Sequence, residues 1–475
     1  MSTNVKRIAL MASHDWTLRA AMAEFLAFLN PTFRWKGGEY QIELSRVIAK
    51  PLLAGTDLSQ EADLIVDRST HWNAYYRYWG HQAMNSLARM VNHTYTFFVY
   101  DKHSTYDLMA RAIHPADRLP KTILLPQFHP WTPDQKKEFL WRMEQELIIE
   151  HTEFGFDPRR RKTDWKTINE KLEEARRFED RSRIVRDDFY YSGNYLQEVV
   201  DQVFENKFPL YLKKAYGGGG TKVFKIKSME DLIFQYDRTG TDAFHLQEGI
   251  EPYDYFYRCM GIGPIIFPMK FQPDKPFHEH YGPEKPLVDP SIFHRLESYV
   301  LFINSYHRWT YNSFECLLKD GVLYPIDFAN ACPDSQFISL HVHFPLLVIA
   351  LVKWLSFCAI TGKDMGIDVQ MIRYLSVLNR TDISQQEKFD FCRRASEEYF
   401  EIDLFQEFCE ENFQGIEDKM IQFYDLKFDE IIRFAMEFSS FPESEHENFF
   451  KYYKDMMDTY WRPNAKDYMK SVLLT

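Results

Sequence analysis

The chain has 475 residues, of which 45% are hydrophobic and 16% aromatic, so it can bury a sizeable core and is expected to divide into two or three packed parts. Its formal net charge is −12, and acidic and basic residues are spread along the whole length. This charge pattern argues against a general nucleic-acid binder or a protein of anionic membrane surfaces. We therefore expect no nucleic acid and no membrane among its partners.

The cysteines and the N-terminus indicate a cytoplasmic protein. The six cysteines form no CxxC pair and show no short disulfide spacing, which favours a reducing compartment and free, buried thiols. The N-terminal MSTNVKRIALMASHDW contains an apolar run only one strand long, too short for a signal peptide. The cysteines are Cys259, Cys316, Cys332, Cys358, Cys392 and Cys409.

Residues 1–120 alternate strand-like and helix-like segments. RIALMAS, ADLIVDRS and TYTFFVYD have the character of strands, and TLRAAMAEFLAFL and YWGHQAMNSLARMV that of helices. This alternation is typical of a parallel α/β domain. We predict that this domain ends near the extended segment LPKTILLPQ.

A helical insertion is predicted at about residues 132–190. It begins with the capping box Thr132-Pro133-Asp134-Gln135, which carries proline at the first helical position. The RRRK run that follows could form a nucleic-acid patch, but a solvated helix is favoured because acidic residues interleave with the basic ones.

The remainder of the chain changes from strands to helices near residue 340. Residues 207–340 contain strands, hairpins and a helix capped at Ser228, which indicates an α+β domain over 121–340. From 341 to 475 the pattern is helical, typical of a packed cap or an interaction surface. The apolar segment FPLLVIALVKWLSFCAI is shorter than the about 20 residues of a membrane span and contains Lys353, so we predict a buried helix from near Pro345 to Gly362.

A glycine-rich hairpin is the first chemical motif. In KFPLYLKKAYGGGGTKVFKI a strand ends in two lysines, turns through Gly217, Gly218, Gly219 and Gly220, and resumes as a strand. Consecutive glycines can expose backbone N–H groups to phosphates, and Lys213 can add a point charge. A helix should follow a P-loop or a GxGxxG fingerprint, so neither fits here. A plain flexible hairpin is the alternative.

A strand, a turn and a second strand follow in FHLQEGIEPYDYFYRCMGIG. Such a hinge can present its backbone to a purine edge, with Gln247, Glu248 and Glu251 near the turn and an acid for the ribose hydroxyls. Arg258 lies on the outgoing strand. Ordinary surface charges are the alternative for these residues.

Two antiparallel strands are predicted in NSFECLLKDGVLYPIDFANACPD. Their pairing can bring Glu315 beside Asp327, with Asn330 close behind. Two carboxylates and an amide oxygen suit Mg²⁺, a hard cation that also binds phosphates. Unrelated strand carboxylates are the alternative, disfavoured because unpaired acids are costly in apolar strands.

In this order and spacing, the three elements resemble the ATP-grasp superfamily over roughly residues 60–340. PLYLKK is similar to the family's phosphate-lysine strand, with Lys213 as the lysine and Lys214 where proline is usual. The last element has Asp327 where glutamate is usual and one extra residue before Asn330. The upstream VYDKHSTYDLMARAIHP and LPKTILLP resemble glutathione-synthase-like and RimK-like ligases, which implies that Lys102 is a second nucleotide-binding lysine.

The resemblance implies ATP and Mg²⁺ as cofactors and an ADP-forming ligase that joins a carboxylate to an amine through an acyl phosphate. Arg258 would stabilise the transferring phosphate, and Lys270 would meet the acceptor together with His278 and His280, which could also be plain loop residues. A kinase of the same superfamily and a non-catalytic nucleotide-binding or partner-binding protein remain as alternatives. The acceptor is a small molecule or a peptide, and a homo-oligomer stays open.

Overall fold

The computed structural model describes residues 4–12, 15–71, 73–92, 94–95, 102–125, 133–153, 162–179, 193–215, 223–236, 238–239, 242–284, 288–365 and 371–473. The chain forms two compact units, a larger one of Met1–Leu119 with Pro252–Thr475 and a smaller one of Pro120–Glu251. In the larger unit, the first strands, the strands from Tyr255 onward and the C-terminal helices share one hydrophobic core. The division into domains at residues 120 and 340 stays a prediction.

The strands carry consecutive labels. They are β1 (Asn4–Met11), β2 (Phe33–Trp35), β3 (Gly38–Arg46), β4 (Leu64–Asp67), β5 (Met90–Val91), β6 (Thr122–Leu125), β7 (Thr152–Glu153), β8 (Lys162–Thr163), β9 (Leu210–Lys214), β10 (Val223–Ile226), β11 (Phe244–Glu248), β12 (Tyr255–Ile262), β13 (Ile265–Lys270), β14 (Tyr311–Lys319) and β15 (Val322–Asn330).

The α-helices are named by their ranges. They are Trp16–Leu29, Ala74–Asn85, Lys102–Ala112, Pro133–Glu150, Trp165–Glu179, Gly193–Phe204, Met229–Tyr236, Pro290–His307, Phe337–Leu340, Phe344–Thr361, Met371–Leu378, Gln385–Phe400, Ile402–Asn412, Ile416–Glu437, His446–Met456 and Ala465–Lys470.

The N-terminal sheet has the order β2-β3-β1-β4-β5. Its neighbours are parallel except for the β2–β3 hairpin, as the alternating pattern predicts. The second predicted helix, YWGHQAMNSLARMV, is shorter than expected and ends at Asn85. Leu87 adopts a positive φ of 60°, and Met90 and Val91 form a strand that pairs with β4. Most of the predicted strand TYTFFVYD lies outside the described residues.

The second sheet of the larger unit, β13-β12-β14-β15, is antiparallel throughout. The predicted β14–β15 hairpin is confirmed, with Asp320 and Gly321 at φ 51° and 76° in its two-residue turn. Positive φ at both positions matches the right-handed twist of the strands, and glycine adopts it without strain. One face of this sheet packs in the shared core, which leaves the opposite face for polar side chains.

The C-terminal region is helical, as predicted. The buried helix Phe344–Thr361 ends at Gly362, which has the left-handed φ of 74° common after helices. By length and composition, Phe337–Thr361 is one stretch that could cross a membrane, but 94% of its most apolar window is buried inside the protein. All six cysteines are free and buried, in agreement with the sequence interpretation.

The smaller unit contains the sheet β10-β9-β11-β6, in which all neighbouring strands are antiparallel. Its core side is apolar and packs with residues of the helices Gly193–Phe204 and Met229–Tyr236. The second helix is capped as predicted, since Ser228 Oγ accepts a hydrogen bond from Asp231 N at 3.1 Å. Helix Pro133–Glu150 confirms a helix after the predicted capping box, although Thr132 and the RRRK run lie largely outside the described residues.

Candidate functional site

One face of the antiparallel sheet in the larger unit collects the charged residues. Arg258 on β12 is the Cα partner of Glu315 on β14, and Glu315 is in turn the partner of Asp327 on β15. Residues directly opposite each other in an antiparallel pair point to the same face. The hairpin therefore brings Glu315 beside Asp327, as the sequence predicts, and β12 adds Arg258 to the same surface.

A bulge in β15 accommodates the extra residue before Asn330. Glu315 pairs with Asp327, but Ser313, two residues earlier, pairs with Asn330, three residues later. The inserted residue restores Asn330 to the face of Asp327, because a bulge shifts the alternation of side chains by one position. Despite the extra residue between them, Asp327 and Asn330 therefore lie on the same face of the sheet.

Two ion pairs connect the carboxylates to cationic side chains. Lys102 Nζ donates to Asp327 Oδ2 at 2.8 Å, and Arg258 Nη1 lies 3.3 Å from Glu315 Oε1. All four side chains are at least two-thirds buried, with Lys102 only 14% exposed. Lys102 begins the helix Lys102–Ala112, so a helix and a hairpin far apart in sequence meet at this cluster.

The charges in the cluster stabilise one another. Burial is the largest influence on the pKa of Lys102 and lowers it, but Asp327 and Glu315 together outweigh it, so the pKa lies above its usual value. The pKa of Arg258 is likewise lowered by burial and raised by a larger sum from Tyr281, Glu315, Asp334 and Asp327. Both side chains therefore carry a positive charge at every physiological pH.

The donor set suits Mg²⁺ bound together with a nucleotide. Among the described residues, no group of three or more His, Cys, Asp or Glu side chains is arranged to hold a metal ion by itself. Mg²⁺ commonly takes one or two protein carboxylates and fills its other positions with phosphate oxygens and water. Glu315, Asp327 and the Asn330 amide supply such oxygens, and the two ion pairs show that this surface stabilises positive charge.

The N-terminal sheet fixes the segment that follows β15. Buried Arg68, directly after β4, donates to Pro333 O at 2.5 Å and to Ser335 Oγ at 2.9 Å. Its Nε lies 2.7 Å from Asp15 Oδ2, and its guanidinium carbon lies 4.7 Å from the centre of the Tyr311 ring. The segment after the β14–β15 hairpin is therefore anchored by a charged side chain that follows a strand of another sheet.

Asp334 and Tyr281 belong to the same surroundings and were missed in the sequence interpretation. Both influence the pKa of Arg258, and Arg258 influences theirs. Burial, the largest cause, raises the pKa of the Asp334 carboxyl. Asp334 could have been suspected from its place directly after Pro333 in the metal motif, whereas no sequence pattern singles out Tyr281.

The smaller unit carries its own polar row. Lys213 Nζ donates to Gln247 Oε1 at 2.6 Å, and Gln247 Nε2 donates to Thr122 Oγ1 at 2.8 Å, which joins β9, β11 and β6 across one face. Lys214 alternates to the other face and pairs with Asp242 at 2.9 Å. Lys213 and Gln247, predicted to bind nucleotide, are thus in direct contact.

The two predicted hinge acids have different surroundings. Glu251 accepts hydrogen bonds from Tyr211 Oη and from Lys225 Nζ, the second at 2.6 Å. Burial raises the pKa of Glu251, but these two donors lower it more, so the net pKa lies below its usual value. Glu248 instead accepts from Lys121 N at 3.1 Å. Gly217, Gly218, Gly219 and Gly220 lie outside the described residues.

The predicted acceptor residues lie on or after β13. Lys270 ends that strand and its carbonyl accepts a hydrogen bond from Gly282 N at 2.9 Å. His278 packs edge-on against three aromatic rings of the C-terminal region, those of Phe441, Phe449 and Tyr452. These ring contacts give His278 a packing role, while burial lowers the pKa of half-buried His280.

No protein-family model and no curated protein matches the chain. Among solved structures, it is similar to a RimK domain ATP-grasp protein from Sphaerobacter thermophilus, with 13% identity and a TM-score of 0.39, over 70% of this chain and 94% of the other. It is also similar to D-alanyl-alanine synthetase A from Vibrio cholerae, with 9% identity and a TM-score of 0.42, over 76% and 98% of the two chains.

A macrocyclase from Microcystis aeruginosa is 11% identical, with a TM-score of 0.40, over 74% of this chain and 99% of the other. The solved structures to which this chain is similar thus include an ATP-grasp protein, a synthetase and a macrocyclase. At these identities, the similarity concerns the general fold and assigns neither a reaction nor a substrate.

Proposed function

We propose that the chain is an ATP-grasp enzyme that uses Mg-ATP to join a carboxylate to an amine. The observation that carries the proposal is the shared face of Arg258, Glu315, Asp327 and Asn330, with Lys102 in contact with Asp327. Buried carboxylates beside cationic donors are the arrangement that phosphoryl transfer requires, because that chemistry depends on positioning and charge neutralisation.

Each unit contributes residues with a different chemical task. In the larger unit, Glu315, Asp327 and Asn330 would hold Mg²⁺, which supplies charge neutralisation at the phosphates. Lys102 and Arg258 add fixed positive charge beside them. In the smaller unit, Lys213, held by Gln247, would bind a phosphate oxygen.

The proposed reaction has two steps. First, a substrate carboxylate oxygen bonds to the γ-phosphorus of ATP while the bond from that phosphorus to the ADP oxygen breaks, which gives an acyl phosphate and ADP. The amine nitrogen then bonds to the acyl carbon, the bond from carbon to the phosphate oxygen breaks, and the departing phosphate takes up the proton that the amine loses. Arg258 would stabilise the negative charge that develops on the phosphoryl and acyl oxygens.

The first test is calorimetry of the protein with a non-hydrolysable ATP analogue, with and without Mg²⁺. The proposal expects binding that depends on Mg²⁺ in the wild type and loses that dependence in Asp327→Asn, which keeps the shape but removes a ligand charge. Asp455→Asn, which changes an exposed carboxylate on a C-terminal helix, is the matched control and should bind as the wild type does. Binding that is indifferent to Mg²⁺ in the wild type would overturn the proposal.

The second test identifies the products formed from ATP with pooled amino acids and dipeptides. A ligase releases ADP and inorganic phosphate in equal amounts and forms an amide detectable by mass spectrometry. Phosphate retained on an organic product instead identifies a kinase, and release of AMP contradicts both.

A further inference from the structure

Two buried hydrogen-bonding atoms lie beside the metal-ligand face. Tyr281 is 2% exposed, yet its hydroxyl has no hydrogen-bond partner among the described residues. The same holds for Arg258 Nε, although Arg258 contacts Glu315 through Nη1 and Ser313 Oγ through Nη2. Because buried polar groups are nearly always hydrogen-bonded in native proteins, these two atoms require an explanation.

Both residues contact the ring of Phe271. The guanidinium carbon of Arg258 lies 4.9 Å from the centre of that ring, and the centre of the Tyr281 ring lies 5.4 Å from it. Burial raises the pKa of the Tyr281 hydroxyl and outweighs the opposing effect of Arg258. Tyr281 thus remains a neutral O–H donor at physiological pH, and Arg258 Nε–H is also a donor. A ligand that satisfies both must present an acceptor, and charged oxygen atoms make the strongest such bonds.

The helical C-terminal region holds the backbone next to Tyr281. His343 Nε2 donates to Gly282 O at 2.8 Å, and its Nδ1 accepts from Tyr468 Oη at 2.6 Å. Residue 281 also forms an antiparallel bridge with Phe271, just after β13. The backbone at Tyr281 is therefore held both by its bridge to Phe271 and by the contact of His343 with Gly282.

We propose that Tyr281 and Arg258 form a subsite that binds an oxyanion of the reacting group through the Tyr281 hydroxyl and Arg258 Nε. This inference rests on the proposed function, to which it adds Tyr281 as a substrate-contacting residue. The oxygen can belong to the phosphoryl group or to the substrate carboxylate, because both present the same acceptor chemistry. Tyr468 and His343 act as positioning residues through Gly282.

The test is calorimetric titration of inorganic phosphate, and separately of acetate, into protein saturated with Mg-ADP. The wild type is expected to bind at least one of these anions, and Tyr281→Phe to bind it about 10-fold more weakly with unchanged affinity for Mg-ADP. Preference for phosphate assigns the subsite to the phosphoryl group, and preference for acetate assigns it to the carboxylate. Tyr468→Phe should weaken the binding of the same anion by a smaller factor.

Tyr299→Phe is the matched control. The Tyr299 hydroxyl donates to Asp117 Oδ2 at 2.6 Å and accepts from His114 N at 3.0 Å, so its removal should lower the Tm and leave anion binding unchanged. Tyr281→Phe should leave the Tm at or above that of the wild type, since it removes no protein hydrogen bond.

Equal anion affinity in wild type and Tyr281→Phe, or no anion binding by the wild type when Mg-ADP is bound, would overturn the inference and leave the proposed function standing. Failure of Mg-ADP itself to bind would refute the proposed function, and this inference with it.

Discussion

The polar faces of the two units differ in the partners of their cationic side chains. In the larger unit, Lys102 and Arg258 face the carboxylates of Asp327 and Glu315, so charges of both signs are buried together. In the smaller unit, Lys213 donates to the amide of Gln247, which orients the ammonium group without carrying a charge of its own. A carboxylate-rich surface suits a metal cation, and an amide-oriented lysine suits a phosphate anion. The two faces therefore differ in the kind of ligand that each suits, although both consist of side chains on antiparallel strands.

Replacement of the arginine in the larger unit should have the largest effect. We expect Arg258→Lys to lower the rate of ADP release under saturating ATP by about 100-fold, because an ammonium group cannot reproduce the planar set of donors that faces Glu315 and Tyr281. Steady-state assay of ADP measures the rate, and calorimetry should show Mg-ATP affinity within about 3-fold of wild type.

Arg393→Lys is the control for that prediction. Arg393 is also largely buried and pairs with Glu297 and Glu397, at 2.7 and 2.6 Å, but it lies on the helix Gln385–Phe400. If both variants lost activity alike, the effect would come from general disturbance of the core, and the assignment of Arg258 would be wrong.

The polar row of the smaller unit can be probed by two adjacent lysines. We expect Lys213→Ala to weaken the binding of a non-hydrolysable ATP analogue by about 10- to 100-fold, the loss of one charge-assisted hydrogen bond. Lys214→Ala should change it by less than about 2-fold, because Lys214 points to the other face and pairs with Asp242. Calorimetry on both variants measures the contrast, and similar affinities would contradict the placement of the nucleotide on the Lys213 face.

Acid should destabilise the folded chain through two buried histidines, His341 and His343, which precede the helix Phe344–Thr361. Burial lowers the pKa of His341 to about 3 and of His343 to about 4, from an ordinary value of 6.5. Between the lowered pKa values and 6.5, the unfolded chain binds more protons than the folded one. The full contribution of these histidines to the free energy of unfolding is therefore present above pH 6.5, and it falls as the pH drops toward 4. Each histidine contributes a slope of at most about 1.4 kcal/mol per pH unit.

Urea unfolding between pH 7 and pH 5 measures that slope. His343→Gln keeps a side chain that can donate to Gly282 O but does not titrate, so its stability should depend less steeply on pH than that of the wild type. Equal slopes for the two proteins would show that His343 is not a source of the acid sensitivity.

The smallest effect is expected from the cap of the C-terminal helix Gln385–Phe400. Ser384 and Glu387 form a capping box, in which Ser384 Oγ accepts from Glu387 N at 3.2 Å and Glu387 Oε2 accepts from Ser384 N at 2.7 Å. Ser384→Ala should cost about 1 kcal/mol of stability, measured by urea unfolding, and leave ADP release unchanged. A loss of activity would show that the C-terminal helices affect the site more broadly than through Tyr468 and His343.

Several features followed from local sequence alone. The β14–β15 hairpin is specified by the Asp320-Gly321 turn between two apolar strands, and the buried helix by its apolar run and Gly362. Hairpin pairing depends on neighbours in sequence, so the approach of Glu315 to Asp327 could be predicted before any tertiary contact was known. Local patterns also predicted the strands that carry Lys213 and Gln247, and these strands pair in the structure, while the nucleotide-binding role of the two residues stays a prediction.

The contacts that complete the charged face were decided by tertiary structure. Arg258 is brought to Glu315 by pairing between β12 and β14, strands more than 40 residues apart in sequence, and Lys102 reaches Asp327 from a helix 225 residues away. Tyr281 and Arg258 share the Phe271 ring as a contact, and His343 holds Gly282, the residue after Tyr281. Sequence periodicity reports which face of a helix or strand is buried, but not which distant element covers that face. The chemical types of the site residues and the local hairpin pairing could therefore be predicted from the sequence. The distant residues that contact them could not.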